Sequence, residues 1–283
     1  MSNTACLERP MAEHAFDAAM ALTAQAEDLF LGRTSPAYWN MVGPFGGISA
    51  AQALQAVLRH PKRLGEPVSF TANFAAALGE GPFRIEARPV RTNRSTQHWL
   101  VLLSQTDQAG QDAVALTATV VTAVRRSTWS AADAVMPEVP TPGSIERGSL
   151  KRPVAWLQRY DIRPCAGGLP EQWDGTEADS LTQLWMRDDP PRPLDFCSLL
   201  ALADVFPPRV WRRRARMTPV GTVSMTVYFH AGADELAATG SGYLLGQARA
   251  QSFFNGFFDQ SAELWNQAGQ LLATSHQIVY FKE

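Results

Sequence analysis

Two features of the sequence have residue types that could do chemistry. The first is Gly46-Gly47 in "MVGPFGGISAAQALQAVLRH" (41–60), directly before a run with Ile48, Ala51, Leu54 and Leu58 on one stripe. Glycines are poor helix formers and good chain benders. The N–H groups of a helix's first turn have no partner inside the helix. Two bare Cα atoms there either let a polar group come close to those donors or let helix and sheet pack tightly. The second feature is Asp204 in "LALADVF" (200–206), a carboxylate among Leu, Ala, Val and Phe. Such a charge is costly unless it is paired or partly wetted. It either holds and polarises a water, as a general base or strong acceptor, or is structural and reaches solvent or a backbone N–H near a helix C-terminus. The residues alone leave both alternatives open.

Absent motifs narrow the chemistry. There is no GxSxG nucleophile elbow and no GxxxxGK[ST] phosphate loop. "GSGYLLG" (240–246) misses the dinucleotide fingerprint by one residue and lacks its strand–turn–helix setting. His14, His60, His98, His230 and His276 form no HxH or HxxxH pair, so neither a metal nor another cofactor is expected. Cys6, Cys165 and Cys197 form no CxxC, which suits a reducing compartment. The net charge of -2 gives no general attraction to nucleic acid or an anionic membrane. No apolar run reaches the ~20 residues of a membrane span. Glu8, Glu13 and Asp17 stand where a signal peptide is basic and then apolar. With 46% hydrophobic and 18% charged residues, a globular cytoplasmic protein is expected, with no nucleic-acid or membrane partner.

The elements that must position these residues repeat along the chain. "PVSFTANF" (67–74) and "TVSMTVYF" (222–229) share Val68/Val223, Ser69/Ser224, Thr71/Thr226 and Phe74/Phe229 in register. "DQAGQ" (107–111) and "NQAGQ" (266–270) follow at nearly the same offset, so a duplicated unit is expected. Each half begins with an apolar helix, 47–60 in one and about 194–205 in the other. Strands joined by short turns follow, with the two QAG turns as tight hairpins. That pattern builds an antiparallel sheet. Expected units are residues 1–126 and 157–283, joined by a proline- and serine-rich linker over 127–156.

Tandem helix-in-sheet units, with glycines before the first helix, resemble the double hot-dog acyl-CoA thioesterases, the TesB-like group. The resemblance covers roughly residues 25–126 and 180–283. It rests on "GPFGGISAAQAL", "VSFTANFAAALGEGPFRIEARPVRTNRS" and "ALTATVV" in the first half. In the second it rests on "LALADVF", "GTVSMTVYFH" and "WNQAGQLLATSHQIVYF". It implies an α+β fold of two helices, each wrapped by a curved antiparallel sheet. It also implies hydrolysis of a fatty acyl-CoA to free acid and CoA, with Asp204, Thr222 and Gln277 binding and orienting a water. In that setting the N–H groups at Gly46 and Gly47 are candidate substrate-binding donors for a developing oxyanion. "RVWRRRAR" (209–216) either meets CoA phosphates or is a solvated surface loop. His230 and His276 read as strand residues rather than acids or bases. Trp39, Trp99, Trp185, Phe253 and Phe254 either line an acyl tunnel or belong to the core. Exposed sheet edges and faces invite association into a homo-oligomer.

Two rivals follow from the same residues. One is a non-catalytic acyl-CoA-binding protein on this fold, since fold does not fix function; the Asp/Thr/Gln set favours the enzyme. The other is a hot-dog hydratase or dehydratase, which typically uses an Asp and a His close together before a helix. No His lies near either helix start in the sequence.

Overall fold

The computed structural model describes residues 13–106, 110–148 and 154–283. Cys6 and most of the DQAG turn (107–109) lie outside the described residues. The first half comprises α1 (Ala15–Ala19), β1 (Thr23–Ala24), β2 (Leu29–Arg33), α2 (Gly46–Arg59), β3 (Glu66–Phe74), β4 (Pro82–Thr92), β5 (Thr96–Thr106) and β6 (Asp112–Ala123). The second comprises β7 (Tyr160–Ala166), β8 (Thr182–Asp188), α3 (Phe196–Leu202), α4 (Arg209–Arg214), β9 (Val220–Phe229), α5 (Ala233–Thr239), β10 (Leu244–Arg249), β11 (Phe253–Phe254), β12 (Phe257–Asn266) and β13 (Leu271–Phe281).

Period-two alternation writes the sheet. Phe70 and Ala72 of β3, and Met225 and Val227 of β9, are fully buried, while Tyr228 faces out. The strands form one continuous sheet in the order β1-β2-β4-β5-β6-β3-β9-β13-β12-β10-β8-β7, with β11 paired to β12. The buried helices α2 and α3 lie inside its curve. α2 buries Gly47 to Leu54 without interruption, and every residue of α3 is buried. The alanines of α2 keep its surface shallow, so α3 and the sheet approach closely. One core cluster therefore runs through both halves.

The seam is the repeat itself. β3 pairs antiparallel with β9, and Thr71 sits opposite Thr226 with their hydroxyls 3.0 Å apart. These are the residues that match in the two sequence repeats, so a pseudo-twofold axis passes between them. Both strands carry a bulge at the matching position, Val68 in β3 and Val223 in β9. Arg125 closes one end of the seam. It donates to the carbonyls of Pro67, Phe229 and His230 and pairs with Glu66 at 3.2 Å.

Several element boundaries differ from the sequence expectation. "GYLLGQARAQSFFNGFFDQ" (242–260), which reads from sequence as one strand continued by "SAELWNQ" (261–267), instead forms three strands, β10, β11 and β12. Asn255-Gly256, both at positive φ, turn β11 back on β12 in a two-residue hairpin. The run 209–216 is not a loop but contains α4, and Arg209 is wholly buried, donating to the carbonyls of Pro207, Ser180 and Ala248. The expected linker is ordered over part of its length. Met136, Val139 and Ile145 pack on Trp185, Tyr243 and Leu245 outside the second half's sheet. Among the described residues, no helix is long and apolar enough to cross a membrane.

The seam account carries a prediction. Arg125→Ala removes charged donors to both halves and should cost ~1–3 kcal/mol in denaturant unfolding, with the secondary structure intact. An unchanged midpoint would show that the β3–β9 ladder holds the halves without it.

Candidate active site

Asp204 does not lie within α3 but two residues beyond its end, next to the C-cap Ala203. The N-terminus of α3 is fixed by Asp195, whose carboxylate accepts from the Ser198 N–H at 2.8 Å. The helix stops at Leu202, and its last turn tightens as the Asp204 N–H donates to the Ala201 carbonyl at 3.1 Å. Pro207-Pro208 then bars further helix. This exit turn aims the Asp204 side chain across the molecular seam at the start of α2.

Three elements meet there. Gln277 of β13 donates from Nε2 to Asp204 Oδ1 at 2.9 Å. The Gly47 N–H, in the first turn of α2, lies near the same carboxylate and lowers its pKa. Gly46 lies beneath it: a Cβ there would stand 2.9 Å from Asp204 Oδ2. A Cβ on Gly47 would stand 2.7 Å from the Ala201 carbonyl oxygen. The two glycines therefore serve both sequence readings at once. They let α2 pack on the end of α3, and they bring a free helix N–H to a carboxylate. Burial pushes the Asp204 pKa up to about 7, against the lowering effect of the Gln277 and Gly47 donors. Asp204 is half-buried, not sealed.

Thr222 reaches this face through the β9 bulge. Gln277 lies opposite Met225, Ile278 opposite Ser224, and Val279 opposite Thr222, so Val223 is the extra residue. Without that bulge, alternation from Met225 would put Val223 on the inner face and turn Thr222 outward. The bulge places Thr222 on the same side as Met225 and Gln277, while no direct contact joins it to Asp204.

Gln260 is a further polar residue of this face that the sequence motifs do not contain. It is 4% exposed and directly opposite Gln277 in the β12–β13 pair. Its signal is parity, because Phe258, Ala262 and Leu264 share its alternation and are buried. A carboxamide at an apolar parity position is the kind of exception that marks a site.

The pseudo-symmetric location is chemically different. Aligning Ser49 with Ser198 puts Gln55 where Asp204 stands, and Gln55 accepts from the Cys197 thiol at 3.4 Å. Phe70, the repeat partner of Met225, pairs with Val120 where Met225 pairs with Gln277. Pro67 takes the place of Thr222. The polar set belongs to one of the two related positions.

Other sequence candidates lie apart from it. Arg212, Arg213 and Arg214 are engaged by Asp179, Glu177 and Glu283 at 3.7, 3.0 and 2.8 Å. A surface cleft of about 1330 Å³ opens beside them, with Phe253, Phe254 and Phe281 in its wall. None of Gly46, Gly47, Asp204, Thr222 and Gln277 lines it. Trp99 is core, bonded to Thr122 at 3.3 Å, and Trp185 lies under the 136–145 segment. His230 and His276 are exposed residues at or beside strand ends and rungs.

Two predictions follow from the packing and charge. Gly47→Ala should lower Tm markedly, because the new methyl meets a backbone carbonyl that cannot move without shifting α3. Asp204→Asn should have the opposite sign. Folding raises the Asp204 pKa from the unfolded value near 4 to about 7. The folded form therefore binds the proton more tightly, and the stability this gives is full at low pH and is lost as pH rises from about 4 through 7. Asp204→Asn should melt higher than the wild type at pH 8, by a margin that shrinks towards pH 5. Equal margins at both pH values would contradict the buried-carboxylate account.

Comparison with known proteins agrees with this architecture. The model of the acyl-CoA thioesterase N-terminal domain matches residues 35–123, and that of the C-terminal domain matches residues 131–281. The second match begins inside the segment expected to be a linker, in keeping with its packing on the second sheet. A conserved protein of unknown function with a hot-dog fold from Alicyclobacillus acidocaldarius is 47% identical, with a TM-score of 0.89 over 96% of this chain and 99% of that one. The tesB protein of Mycobacterium avium subsp. paratuberculosis is 21% identical, with a TM-score of 0.75 over 96% of this chain and 100% of that one. An acyl-CoA thioesterase II of Mycobacterium marinum is 18% identical, with a TM-score of 0.71 over 95% and 98%. The last two share the fold. No curated protein matches the sequence. The chain belongs to the acyl-CoA thioesterase family and has a double hot-dog fold.

Proposed function

We propose that this protein hydrolyses a fatty acyl-CoA to the free acid and CoA, with Asp204 activating water and Gln277 and Thr222 orienting it. The observation that carries the reading is the 2.9 Å bond from Gln277 to Asp204, which fixes a half-buried carboxylate at the start of the other half's helix. With a pKa raised to about 7, Asp204 is matched to proton transfer near neutral pH. It takes a proton from water as the water oxygen adds to the thioester carbonyl. When the adduct collapses, the C–S bond breaks and the proton passes to the departing sulfur. A thioester is reactive enough that no covalent enzyme intermediate is required. Thr222 offers a hydroxyl on the same sheet face. Gly46 and Gly47 keep the approach to the carboxylate free of side chains, since a Cβ on Gly46 would stand 2.9 Å from Asp204 Oδ2.

Asp204→Asn keeps the shape and removes the base. Its kcat should fall by ~10²–10⁴-fold, the range for a lost general base. Thr222→Val and Gln277→Ala should also lose rate. Either change combined with Asp204→Asn should cost little more than Asp204→Asn alone, since groups acting as a unit are not additive. The assay is thiol release over a panel of acyl-CoA chain lengths. Full activity of Asp204→Asn would remove Asp204 from the mechanism. A wild type that binds acyl-CoA and releases no thiol from any ester would be a binding protein.

We further propose that the protein associates with itself through its outer sheet surface. Leu100, Leu102, Tyr228, Ile278 and Tyr280 are large apolar side chains each at least 39% exposed there. Sedimentation at micromolar concentration should find a homo-oligomer, and a monomer alone would refute it.

A further inference from the structure

Gln260 stands directly opposite Gln277 in the β12–β13 pair, and both side chains leave the inner face of the sheet. Its neighbours of the same parity, Phe258 and Ala262, are buried and apolar. Side chains paired in this way start about 4.5–5.5 Å apart at Cβ, so the two carboxamides are adjacent. They do not bond to each other. Nε2 of Gln277 donates to Asp204 Oδ1 at 2.9 Å and to Met225 Sδ at 3.5 Å. The Gln260 side chain, 4% exposed, makes no hydrogen bond among the described residues. A buried amide without a partner is costly, and Leu or Met would fill the same place without that cost. A carboxamide here calls for a partner that substrate or water brings.

The two sides of Gln277 are chemically different. β13 lies between β9 and β12. Met225, which holds the Gln277 amide, is on β9, and so is Thr222, opposite Val279. Asp204 also leans towards the seam. A Cβ on Gly46 would stand 2.9 Å from Asp204 Oδ2 and 3.6 Å from the Phe74 ring of β3. The carboxylate, the Thr222 hydroxyl and the first turn of α2 thus gather on the seam side, where a water would be held. Gln260 is the polar residue of the site that stands on the far side. An oxyanion forming against the Asp204 carboxylate would be opposed by like charge. One forming towards β12 meets the N–H donors of a neutral amide.

We propose that Gln260 is a catalytic residue: its Nε2 donates to the thioester carbonyl oxygen and stabilises the oxyanion as it forms. The assignment rests on the thioesterase reading of this site. The water oxygen bonds to the carbonyl carbon, the π pair of the C=O moves on to the carbonyl oxygen, and the water proton goes to Asp204. The Gln260 N–H meets the charge on that oxygen. As the adduct collapses the pair returns to re-form C=O, the C–S bond breaks, and the proton passes from Asp204 to sulfur. The two carboxamides divide the work: Gln277 orients the base and its water, and Gln260 holds the electrophile. Because an amide does not titrate, the contribution of Gln260 has no pH dependence of its own.

Gln260→Met keeps the length and removes the donor. Its kcat for thiol release should fall ~10²–10³-fold, the size of a lost oxyanion donor, with KM little changed and the acid limb in place. Its Tm should hold or rise, because an unpaired buried amide is gone. An unchanged kcat would overturn the proposal. So would a slower enzyme with a lower Tm or a displaced limb, the mark of a residue that only shapes the site. A second arm needs no turnover. Its probe is a ketone analogue of acyl-CoA, with a methylene between the carbonyl carbon and sulfur and an isotopic label at the carbonyl carbon. In NMR spectra of the bound analogue, the carbonyl signal of the Gln260→Met complex should lie upfield of the wild-type signal, as expected for a lost hydrogen bond. Equal signals would show that Gln260 does not touch the carbonyl. A wild type that binds the ketone but releases no thiol from any acyl-CoA would end the thioesterase reading, and the carbonyl signal would still decide whether Gln260 holds the carbonyl.

Discussion

A carboxylate from one half of the molecule, held between a strand carboxamide and the first turn of the other half's helix, is the interaction on which the site depends. Asp204 alone would be a costly charge in an apolar interior. The donors from Gln277 and Gly47 offset part of that cost, and what remains appears as a pKa near 7. The arrangement demands bare Cα atoms at Gly46 and Gly47 and a helix that ends two residues before Asp204. It also demands that α2 and α3 lie side by side in one sheet. Each of these is a packing requirement, so the chemistry and the fold are specified by the same residues.

Duplication supplied that geometry, and divergence made it single. The Thr71–Thr226 contact and the paired bulges at Val68 and Val223 show how closely the halves still correspond. The related location has Gln55, Val120 and Pro67 in place of Asp204, Gln277 and Thr222. A neutral carboxamide in place of the carboxylate removes both the negative charge and its desolvation cost. The Gln55–Cys197 contact keeps the crossing of the two helices without a charge.

Much of this was legible in the sequence because it is written in local patterns. The repeat at 67–74 and 222–229 marked the two strands that meet at the seam, and the stripe after Gly46-Gly47 marked α2. What could not be read depends on distant residues coming together. Phe45, Trp156 and Tyr160 pack ring against ring only because the turn before α2 and the chain entering β7 converge. Gln260 was hidden for another reason, since its partner is set by cross-strand register. The Asn255-Gly256 turn was present as a hairpin signal, but the apolar residues on both sides made one long strand look continuous. Arg209 was masked by its neighbours: three arginines follow it nearby on the surface, while it alone is turned inward to backbone carbonyls.

The central claim is that Asp204 is the base and that Gln277 sets its proton affinity. The pH dependence of single-turnover acyl-CoA hydrolysis, compared between wild type and Gln277→Ala, tests both parts. The wild-type rate should rise with pH through an acid limb near 7, because the reacting form is the carboxylate. Loss of the Gln277 donor removes an interaction that lowers the Asp204 pKa, so the limb of Gln277→Ala should move to higher pH. A wild-type limb near 4, where an ordinary aspartate titrates, or a limb unmoved by the substitution, would contradict the account.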